Sequence, residues 1–208
     1  QACTYLDYPV VSGNVSFYNE TQNKAISPTP AIGGVGLIKN ITNMMDKRIK
    51  KNDSNLFVIG KTTGHLFQSE FFKEVVGIKD GPPPEVNLFN EKNNGLLIQT
   101  LISKKLVDSV HDVSSGGILL TLFEMCMSGN IGAKINVPKG TITSHEYLFG
   151  EDQSRYLVET ADNNKDEVIQ ILEKNNIYYE MLGKTGGDSI DLKSEFSMKL
   201  MDLNKLNT

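Results

Sequence analysis

The sequence predicts an α/β or α+β fold, in which strands and helices pack as layers. Two observations support this class: strand-like and helix-like segments alternate along most of the chain, and some strand-like segments follow one another directly. The composition is that of a globular protein, because 39% of the 208 residues are hydrophobic and 18 more are glycine. A chain of this length forms one large domain, or one ordinary domain and a remainder.

The first part of the chain is punctuated by prolines. Pro9 breaks a helical start, and Pro28 and Pro30 precede an apolar, glycine-rich run. The basic stretch 39–54 contains no aromatic residue, so we interpret it as a solvated connector and not as a nucleic-acid patch. We therefore predict a domain boundary near residue 39, with domains at 1–38 and 39–208. The predicted elements of the first domain are the end of a helix at 1–8, a strand at 10–19, a hairpin turn at 20–24 and a strand at 31–38.

The second domain alternates strands with helices. Leu97 and Leu101 lie one helical turn apart in a helix that we expect to begin at Pro84, since proline suits the first turn. Gly129 and Asn130 end a nearly all-apolar helix. The predicted strands are 56–59, 107–112, 133–137, 155–160 and 177–184, and the predicted helices are 67–76, 84–105, 115–128 and 165–174.

Charge and cysteine usage exclude several classes of protein. The chain has 21 basic and 25 acidic residues and a net charge of −4, so bulk charge does not drive it to nucleic acid. Binding of a small anionic ligand is still compatible with this charge, because backbone amides can bind phosphate. Cys3 and Cys126 fit neither a disulfide framework nor a zinc site, which indicates two reduced thiols in a cytoplasmic protein. No apolar run approaches the roughly 18 residues of a membrane span, and we predict no membrane partner.

Two catalytic motifs fail on spacing. Gly60, Lys61 and Thr62 follow a predicted strand, but a P-loop needs glycine five positions earlier, where this chain has Asn55. A zinc-protease helix that begins at His145 needs a second histidine at 149, and that residue is phenylalanine.

The loop 111–117 is the first candidate site. Ser114 can cap the following helix, while Gly116 and Gly117 leave its first turn bare, so the exposed amides and the helix dipole can bind an anion. Asp112, at the end of a strand, can hold a metal ion that bridges phosphates. A plain capped helix with glycines for close packing explains the same residues.

Two further segments combine polar groups with glycine. Glu151, Asp152, Gln153 and Arg155 precede an apolar strand, and they form either a ligand-positioning loop or a salt-bridged surface turn. In the segment 13–20, strand alternation puts three polar side chains on one face, next to a glycine that admits close approach. Those side chains suit a hydrated magnesium ion and a polar ligand, or bonds to a neighbouring strand; they are Asn14, Ser16 and Tyr18.

Four segments together resemble one family of purine biosynthesis. In chain order, 10–20, 29–36, 111–117 and 149–156 resemble the signatures of the synthetase subunit of phosphoribosylformylglycinamidine synthase. The resemblance departs from the family's pattern at two positions. Ser115 stands where an aspartate is usual, and Asp152 stands where a small serine is common.

The resemblance implies a specific architecture. The family has two similar halves, each with an aminoimidazole-ribonucleotide-synthetase-like N-terminal domain and a C-terminal α/β domain. This chain is similar to the end of the third domain and to all of the fourth, so we expect a mixed sheet flanked by helices after the last strands of an N-terminal-type domain. Because the chain starts with Gln1, we also expect a fragment that is inactive alone and whose partner is the missing N-terminal portion.

The resemblance also implies a reaction and a set of residue roles. The family uses ATP, Mg²⁺ and ammonia to convert formylglycinamide ribonucleotide to the amidine; a glutaminase subunit supplies the ammonia, and a small bridging subunit can join them. By resemblance Gly13 contacts ATP, Asn14 binds magnesium and Ser16 contacts the ribonucleotide. The catalytic base lies in the missing half, so no catalytic residue is assigned here.

Internal similarity between the halves implies an auxiliary site. Counterparts in the first half bind magnesium and substrate, so the copies here are expected to surround a second, structural nucleotide site. Its expected residues are Asp112, Ser114, Gly116, Gly117, Glu151 and Gln153. Two alternatives remain: a stand-alone nucleotide-binding or dimerisation module, and a related ATP-dependent enzyme such as a selenophosphate synthetase or a thiamine-phosphate kinase.

Overall fold

The chain divides into two compact units. The structure is a computed structural model, and its units comprise residues 1–42 and 43–208. The division lies close to the predicted boundary near residue 39, and the assignment of the two parts to particular domains stays a prediction. The structure describes residues 1–14, 20–26, 29–140, 142–193 and 195–206.

The first unit contains a short helix and a small hairpin. Helix α1 comprises Ala2–Tyr5, and strands β1 (Glu20–Thr21) and β2 (Lys24–Ala25) pair antiparallel. Gln22 and Asn23 connect the strands with φ angles of 52° and 60°, as in the tight turns that match strand twist. The predicted helix end and hairpin are therefore confirmed.

The two longer strands predicted for the first unit are not formed in its described part. Residues 10–14 and 31–38 belong to no strand, while residues 15–19 lie outside the described residues. Apolar alternation does not make a strand without a hydrogen-bonded neighbour, and the described part of this unit pairs only the two-residue strands β1 and β2. The prediction at 31–38 was wrong for this reason.

The second unit is built on a mixed sheet. In the described residues seven strands follow the spatial order β4-β6-β3-β7-β5-β8-β9, and β5 pairs parallel with β8 while the other neighbours are antiparallel. The strands are β3 (Asn55–Ile59), β4 (Ser109–Asp112), β5 (Ala133–Ile135), β6 (Tyr156–Thr160), β7 (Tyr179–Thr185), β8 (Ser189–Leu192) and β9 (Phe196–Lys199).

Helices cover the sheet, and some begin elsewhere than predicted. Asn87 caps α2 by accepting the Asn90 N–H at 3.0 Å, so Pro84 precedes the helix and is not its first residue. The predicted helix at 67–76 is reduced to one π-helical segment. The helices are the π-helix Phe71–Val76, α2 (Leu88–Ser103), α3 (Gly117–Gly129), α4 (Ser144–Phe149), α5 (Lys165–Lys174) and α6 (Leu200–Leu206).

Strand β3 lies inside the sheet and is buried on both faces. Leu56 and Val58 belong to the cluster that α3, α4 and α6 cover, whereas Phe57 and Ile59 belong to the cluster that α2 and α5 cover. Successive side chains of a strand point to opposite faces, so one continuous apolar run supplies both cores. The unit is a helix–sheet–helix sandwich, and the predicted mixed sheet flanked by helices is confirmed.

Strand pairing brings three loops to one end of the sheet. Tyr156, the first residue of β6, pairs with Ile59 at the end of β3 and with Asp112 at the end of β4. The loops after β3, after β4 and before β6 therefore meet.

Of the helices that the structure describes, none is long and apolar enough to cross a membrane.

Candidate functional site

A cavity of about 520 Å³ lies between the loop after β4, the loop before β6 and the start of α2. We refer to it as the first cavity. Four predicted auxiliary residues line it, and Glu91 of α2 and Tyr156 of β6 complete its polar wall. The structure therefore brings together side chains from three separate segments. The four predicted residues are Asp112, Ser114, Glu151 and Gln153.

The start of α3 differs from the predicted capped, open anion site. Gly116 is the N-cap residue with φ 79°, and no side chain caps the helix; Ser114 accepts the Gly117 N–H only through its carbonyl oxygen, at 3.1 Å. The Gly116 N–H donates to Glu151 Oε1 at 2.8 Å, so a carboxylate of the same chain already binds this amide. The prediction of a Ser114 cap was wrong, because the left-handed glycine turns the chain away from the serine side chain.

Gly117 serves close packing. A Cβ at this position would lie 2.6 Å from the carbonyl oxygen of Leu148 and 2.8 Å from that of Gly150, and its φ is 69°. Neither glycine lines the first cavity. The close-packing interpretation that the sequence left open therefore describes Gly117.

Asp152 is a buried carboxylate that holds the loop after β3. It is only 7% exposed. It accepts the backbone N–H groups of Thr63, Gly64 and His65 at 3.1, 3.0 and 3.3 Å, as well as the Thr63 hydroxyl. Burial alone would raise the pKa of Asp152, but the Thr63 hydroxyl, the Arg155 charge and the amides outweigh it, so the pKa is lowered. The carboxylate is therefore ionised at neutral pH.

The buried Arg155 side chain joins the loop after β3 to the loop before β6. The side chain is 1% exposed and donates to the carbonyl oxygens of Gly150 at 2.6 Å and Asp152 at 3.1 Å, and to Thr62 Oγ1 at 3.2 Å. Its Nη1 also lies 3.8 Å from Asp152 Oδ2. The segment 150–155 is thus an ion-paired loop in which Asp152 and Arg155 are buried and Gln153 is exposed, and a role in positioning a ligand stays a prediction.

Glu151 connects the cavity wall to the π-helix. Its Oε1 accepts the N–H groups of Gly116 and Glu70, both at 2.8 Å, and its own N–H donates to the His65 carbonyl at 2.9 Å. One carboxylate oxygen thereby joins the starts of two helices, where negative charge is favoured.

Acidic side chains, including Glu91 and Asp112, line the first cavity. Burial raises the pKa of Tyr156, and the nearby charges of Glu91 and Asp112 raise it further. Asp112 is oriented by His111, whose Nδ1 lies 3.1 Å from Asp112 Oδ1. His111 Nε2 lies 2.8 Å from Glu124 Oε2, and hydrogen bonds from His111 and Lys47 lower the pKa of Glu124.

A second cavity of about 330 Å³ adjoins the first. The two share Pro84, Gln153 and Ser154 as lining residues. The Ser154 carbonyl accepts Asn94 Nδ2 at 2.8 Å, and Ser154 has a left-handed φ of 62°. Gln153 is exposed at the boundary between the two cavities.

Sequence reasoning missed part of this site. Glu91 and Asn94 lie on one face of α2, and the loop 62–65 provides the donors for Asp152. The sequence does contain a signal, because a glycine-containing loop directly after a buried strand often presents backbone amides. Its occupant here is a carboxylate of the same chain and not a phosphate.

The residues predicted for ATP, magnesium and ribonucleotide lie in the first unit. Gly13 and Asn14 are exposed, and a Cβ at Gly13 would meet no atom within 4 Å. Ser16 lies outside the described residues, as does Tyr18. The roles of these residues stay predictions.

Asp112 is the candidate metal ligand in the second unit. Over the ranges that the structure describes, no group of three or more His, Cys, Asp or Glu side chains could hold a metal ion. The Asp112 side chain is 67% exposed and faces the first cavity. A single accessible carboxylate fits magnesium, which keeps several waters and takes its other ligands from phosphates.

Solved structures similar to this chain share its fold. Thermotoga maritima PurL complexed with ATP aligns with 76% of this chain and 27% of its own length, at 16% identity and a TM-score of 0.61. The same protein complexed with FGAR aligns with 77% of this chain and 29% of its own length, at 17% identity and a TM-score of 0.64. A thiamine-monophosphate kinase from Stenotrophomonas maltophilia aligns with 73% of this chain and 53% of its own length, at 15% identity and a TM-score of 0.50. These likenesses concern the fold alone.

Sequence similarity identifies the family as well as the fold. Residues 52–193 match the family of the AIR synthase related protein, C-terminal domain. Phosphoribosylformylglycinamidine synthase subunit PurL of Pelagibacter ubique is 48% identical over all 208 residues, and the subunit from Azorhizobium caulinodans is 46% identical over 93% of the chain. The chain spans 28% and 26% of those two relatives. The chain therefore belongs to the PurL family, the synthetase subunits of phosphoribosylformylglycinamidine synthase, and its second unit carries the AIR-synthase-related C-terminal domain.

Proposed function

We propose that this chain is the C-terminal part of a longer ATP-dependent ligase that makes formylglycinamidine ribonucleotide. The identity of 48% with a PurL subunit, of which the chain spans 28%, supports this proposal. Solved PurL proteins of the same fold bind ATP and FGAR. The chain alone supplies part of one active site and has no turnover of its own.

The proposed reaction joins ammonia to an activated amide. The γ-phosphoryl group of ATP is transferred to the amide oxygen of formylglycinamide ribonucleotide, and ADP is released. Ammonia then forms a bond to the amide carbon, the bond from that carbon to the phosphorylated oxygen breaks, and phosphate leaves. A bound Mg²⁺ would offset the charge of the transferring phosphoryl group.

The residues of this chain bind and orient in the proposed reaction. Gly13 contacts ATP, since its lack of a side chain lets the nucleotide approach the backbone closely. The Asn14 amide oxygen is a magnesium ligand, and the Ser16 hydroxyl contacts the ribonucleotide. A glutaminase partner supplies ammonia in the cytoplasm, with a small bridging subunit between the two proteins. The base that accepts the proton belongs to the other half of the ligase.

The first cavity is proposed as an auxiliary nucleotide site. The observation that carries this part is the convergence of Asp112, Ser114, Glu151 and Gln153 on one cavity. Its volume of about 520 Å³ lies within the range of small-molecule sites. Asp112 would hold a hydrated magnesium ion on the nucleotide phosphates, and the nucleotide would stabilise the fold without reacting.

The test is Asp112→Ala in the native-length protein, with Asp188→Ala as the control. Asp188 is an exposed aspartate before β8, which is the sixth strand of the sheet when counted from β4. We expect bound nucleotide to be lost from Asp112→Ala and retained by Asp188→Ala. Unchanged nucleotide content in Asp112→Ala would overturn the auxiliary site. Loss of turnover with retained nucleotide would instead move Asp112 into the catalytic set.

A further inference from the structure

Gln153 occupies a distinctive place between two buried neighbours. Asp152 is 7% exposed and lines only the second cavity, and Ser154 is half-buried and lines both, whereas Gln153 lines both cavities and is itself exposed. A side chain at such a boundary can contact a ligand that extends from one cavity toward the other. A backbone that is already fixed on each side of Gln153 leaves only the side-chain rotamers to be ordered when a ligand binds.

Asp152 fixes the first side of Gln153. Its carboxylate accepts three successive backbone N–H groups, from Thr63 to His65, at 3.0 to 3.3 Å. Carboxylates bind well in such a cluster of amides, since each bond to an ionised acceptor is stronger than one between neutral groups. The contact joins positions 89 residues apart in sequence, so it holds two loops of the cavity rim at a fixed distance.

Two further contacts hold backbone carbonyl groups on either side of Gln153. Asn94 of α2 donates to the Ser154 carbonyl at 2.8 Å, and the buried Arg155 donates to the Asp152 carbonyl at 3.1 Å. The left-handed φ of 62° at Ser154 is unusual for a residue other than glycine. Such a conformation persists only where surrounding contacts determine it. Both neighbours of Gln153 therefore have a hydrogen-bonded carbonyl group, that of Ser154 through a side chain of α2 and that of Asp152 through Arg155.

We propose that Asp152 is a positioning residue for ligand binding, and that it acts through Gln153. Asp152 holds the Gln153 amide at the boundary of the two cavities, where it contacts the nucleoside part of a nucleotide bound in the first cavity. A primary amide both donates and accepts, as recognition of a ribose hydroxyl or a nucleobase edge requires. This inference rests on the proposed auxiliary nucleotide site.

The test is a double-mutant cycle on the native-length protein, with the dissociation constant of Mg·ADP as the measurement. We expect Gln153→Ala to weaken binding about 10-fold, the typical scale of one hydrogen bond. Asp152→Asn places an amide N–H₂ or a single oxygen where two carboxylate oxygens accept, so we expect a similar loss of about 10-fold. In the Gln153→Ala background, the same Asp152 change should cost no more than about 2-fold.

Glu159→Gln is the matched control. Glu159 is also fully buried and also accepts two successive backbone N–H groups, from Lys50 and Lys51, at 2.9 and 3.0 Å. It is not among the residues that line either cavity. A loss of thermal stability is expected in both carboxylate variants, but weaker Mg·ADP binding only in Asp152→Asn. If Asp152→Asn does not fold, Asp152→Ser replaces it in the cycle, because one small hydroxyl keeps a single acceptor.

The outcomes separate this inference from the proposed function. If the wild type does not bind Mg·ADP, or if Asp112→Ala binds it as tightly as the wild type, the auxiliary site is refuted and the inference with it. If Asp112→Ala weakens binding but Asp152→Asn does not, only the role of Asp152 is refuted. An equal loss from Asp152→Asn with and without the Gln153 side chain also refutes it, because the carboxylate then acts without Gln153.

Discussion

Replacement of Arg155 by methionine should strongly destabilise the second unit. The change keeps most of the side-chain volume but removes the donors to Gly150, Asp152 and Thr62. It also leaves the Asp152 carboxylate buried without its cation. Removal of one partner of a buried ion pair typically costs about 3–5 kcal/mol, a large share of the roughly 5–15 kcal/mol that stabilises a domain.

The matched control is Lys184→Met, which breaks an exposed ion pair. Lys184 Nζ lies 3.1 Å from Asp162 Oδ1, with side chains that are 51% and 71% exposed. Pairs of this kind contribute about 0–1 kcal/mol. The free energy of unfolding is measured for both variants by urea denaturation, followed by far-UV circular dichroism.

The Arg155→Met result has a clear threshold. A loss below about 1 kcal/mol, or one equal to that of Lys184→Met, would refute the structural role of the buried pair. A second replacement, Asp152→Asn, should recover part of the loss in the Arg155→Met protein, because an uncharged amide needs no buried cation.

Three other predictions concern the second unit and the two thiols. Leu122→Ala should cost about 2–5 kcal/mol in urea denaturation because Leu122 is fully buried in α3, while Leu120→Ala, at a side chain that is 39% exposed, should cost clearly less. Hydrogen bonds from an imidazole and an ammonium group lower the pKa of Glu124 below its ordinary value of 4.5. The difference in the free energy of unfolding between wild type and Glu124→Gln should therefore be present at pH 7 and disappear as the pH falls below 4.5. A constant difference down to pH 3 would contradict this. Burial raises the pKa of Cys126 to about 12, so at pH 8 only the exposed Cys3 should react with a thiol reagent until the chain is denatured.

Continuous or periodic apolar patterns made much of the second unit predictable. The run Leu56 to Ile59 indicated a short apolar strand, and the structure places it inside the sheet, between β6 and β7. Helix α5 has the predicted bounds, Lys165–Lys174, since its apolar residues repeat with the helical period. Such elements are determined by a local pattern that already specifies which side faces the core.

Short elements were not predicted. Strands β8 and β9 have four residues each and few apolar positions. Helix α4 does have a sequence signal, because Thr143 is followed three residues later by Glu146. In the structure Thr143 accepts the Glu146 N–H and Glu146 accepts the Thr143 N–H, which is the reciprocal capping pattern.

The site was predictable by resemblance only as a set of residues. Asp112 and Glu151 were expected at one site, and both line the first cavity. The geometry that links the loops was not predictable, because the contact between Asp152 and Thr63 joins residues 89 apart. Local patterns do not encode such a pairing, since it follows from the position of β6 between β3 and β4.

The position of β3 between β6 and β7 has a consequence for synthesis of the chain on the ribosome. Asn55 pairs with Thr160 on one side and with Lys184 on the other, so this interior strand is fully paired only after both of its neighbours are synthesised. At roughly 5–20 residues per second, about 130 further residues take about 6–26 s to synthesise. Until β6 is synthesised, this largely apolar strand has unpaired backbone groups on both edges, and one edge stays unpaired until β7 follows. The nascent chain is therefore a substrate for chaperones before it is a folded protein.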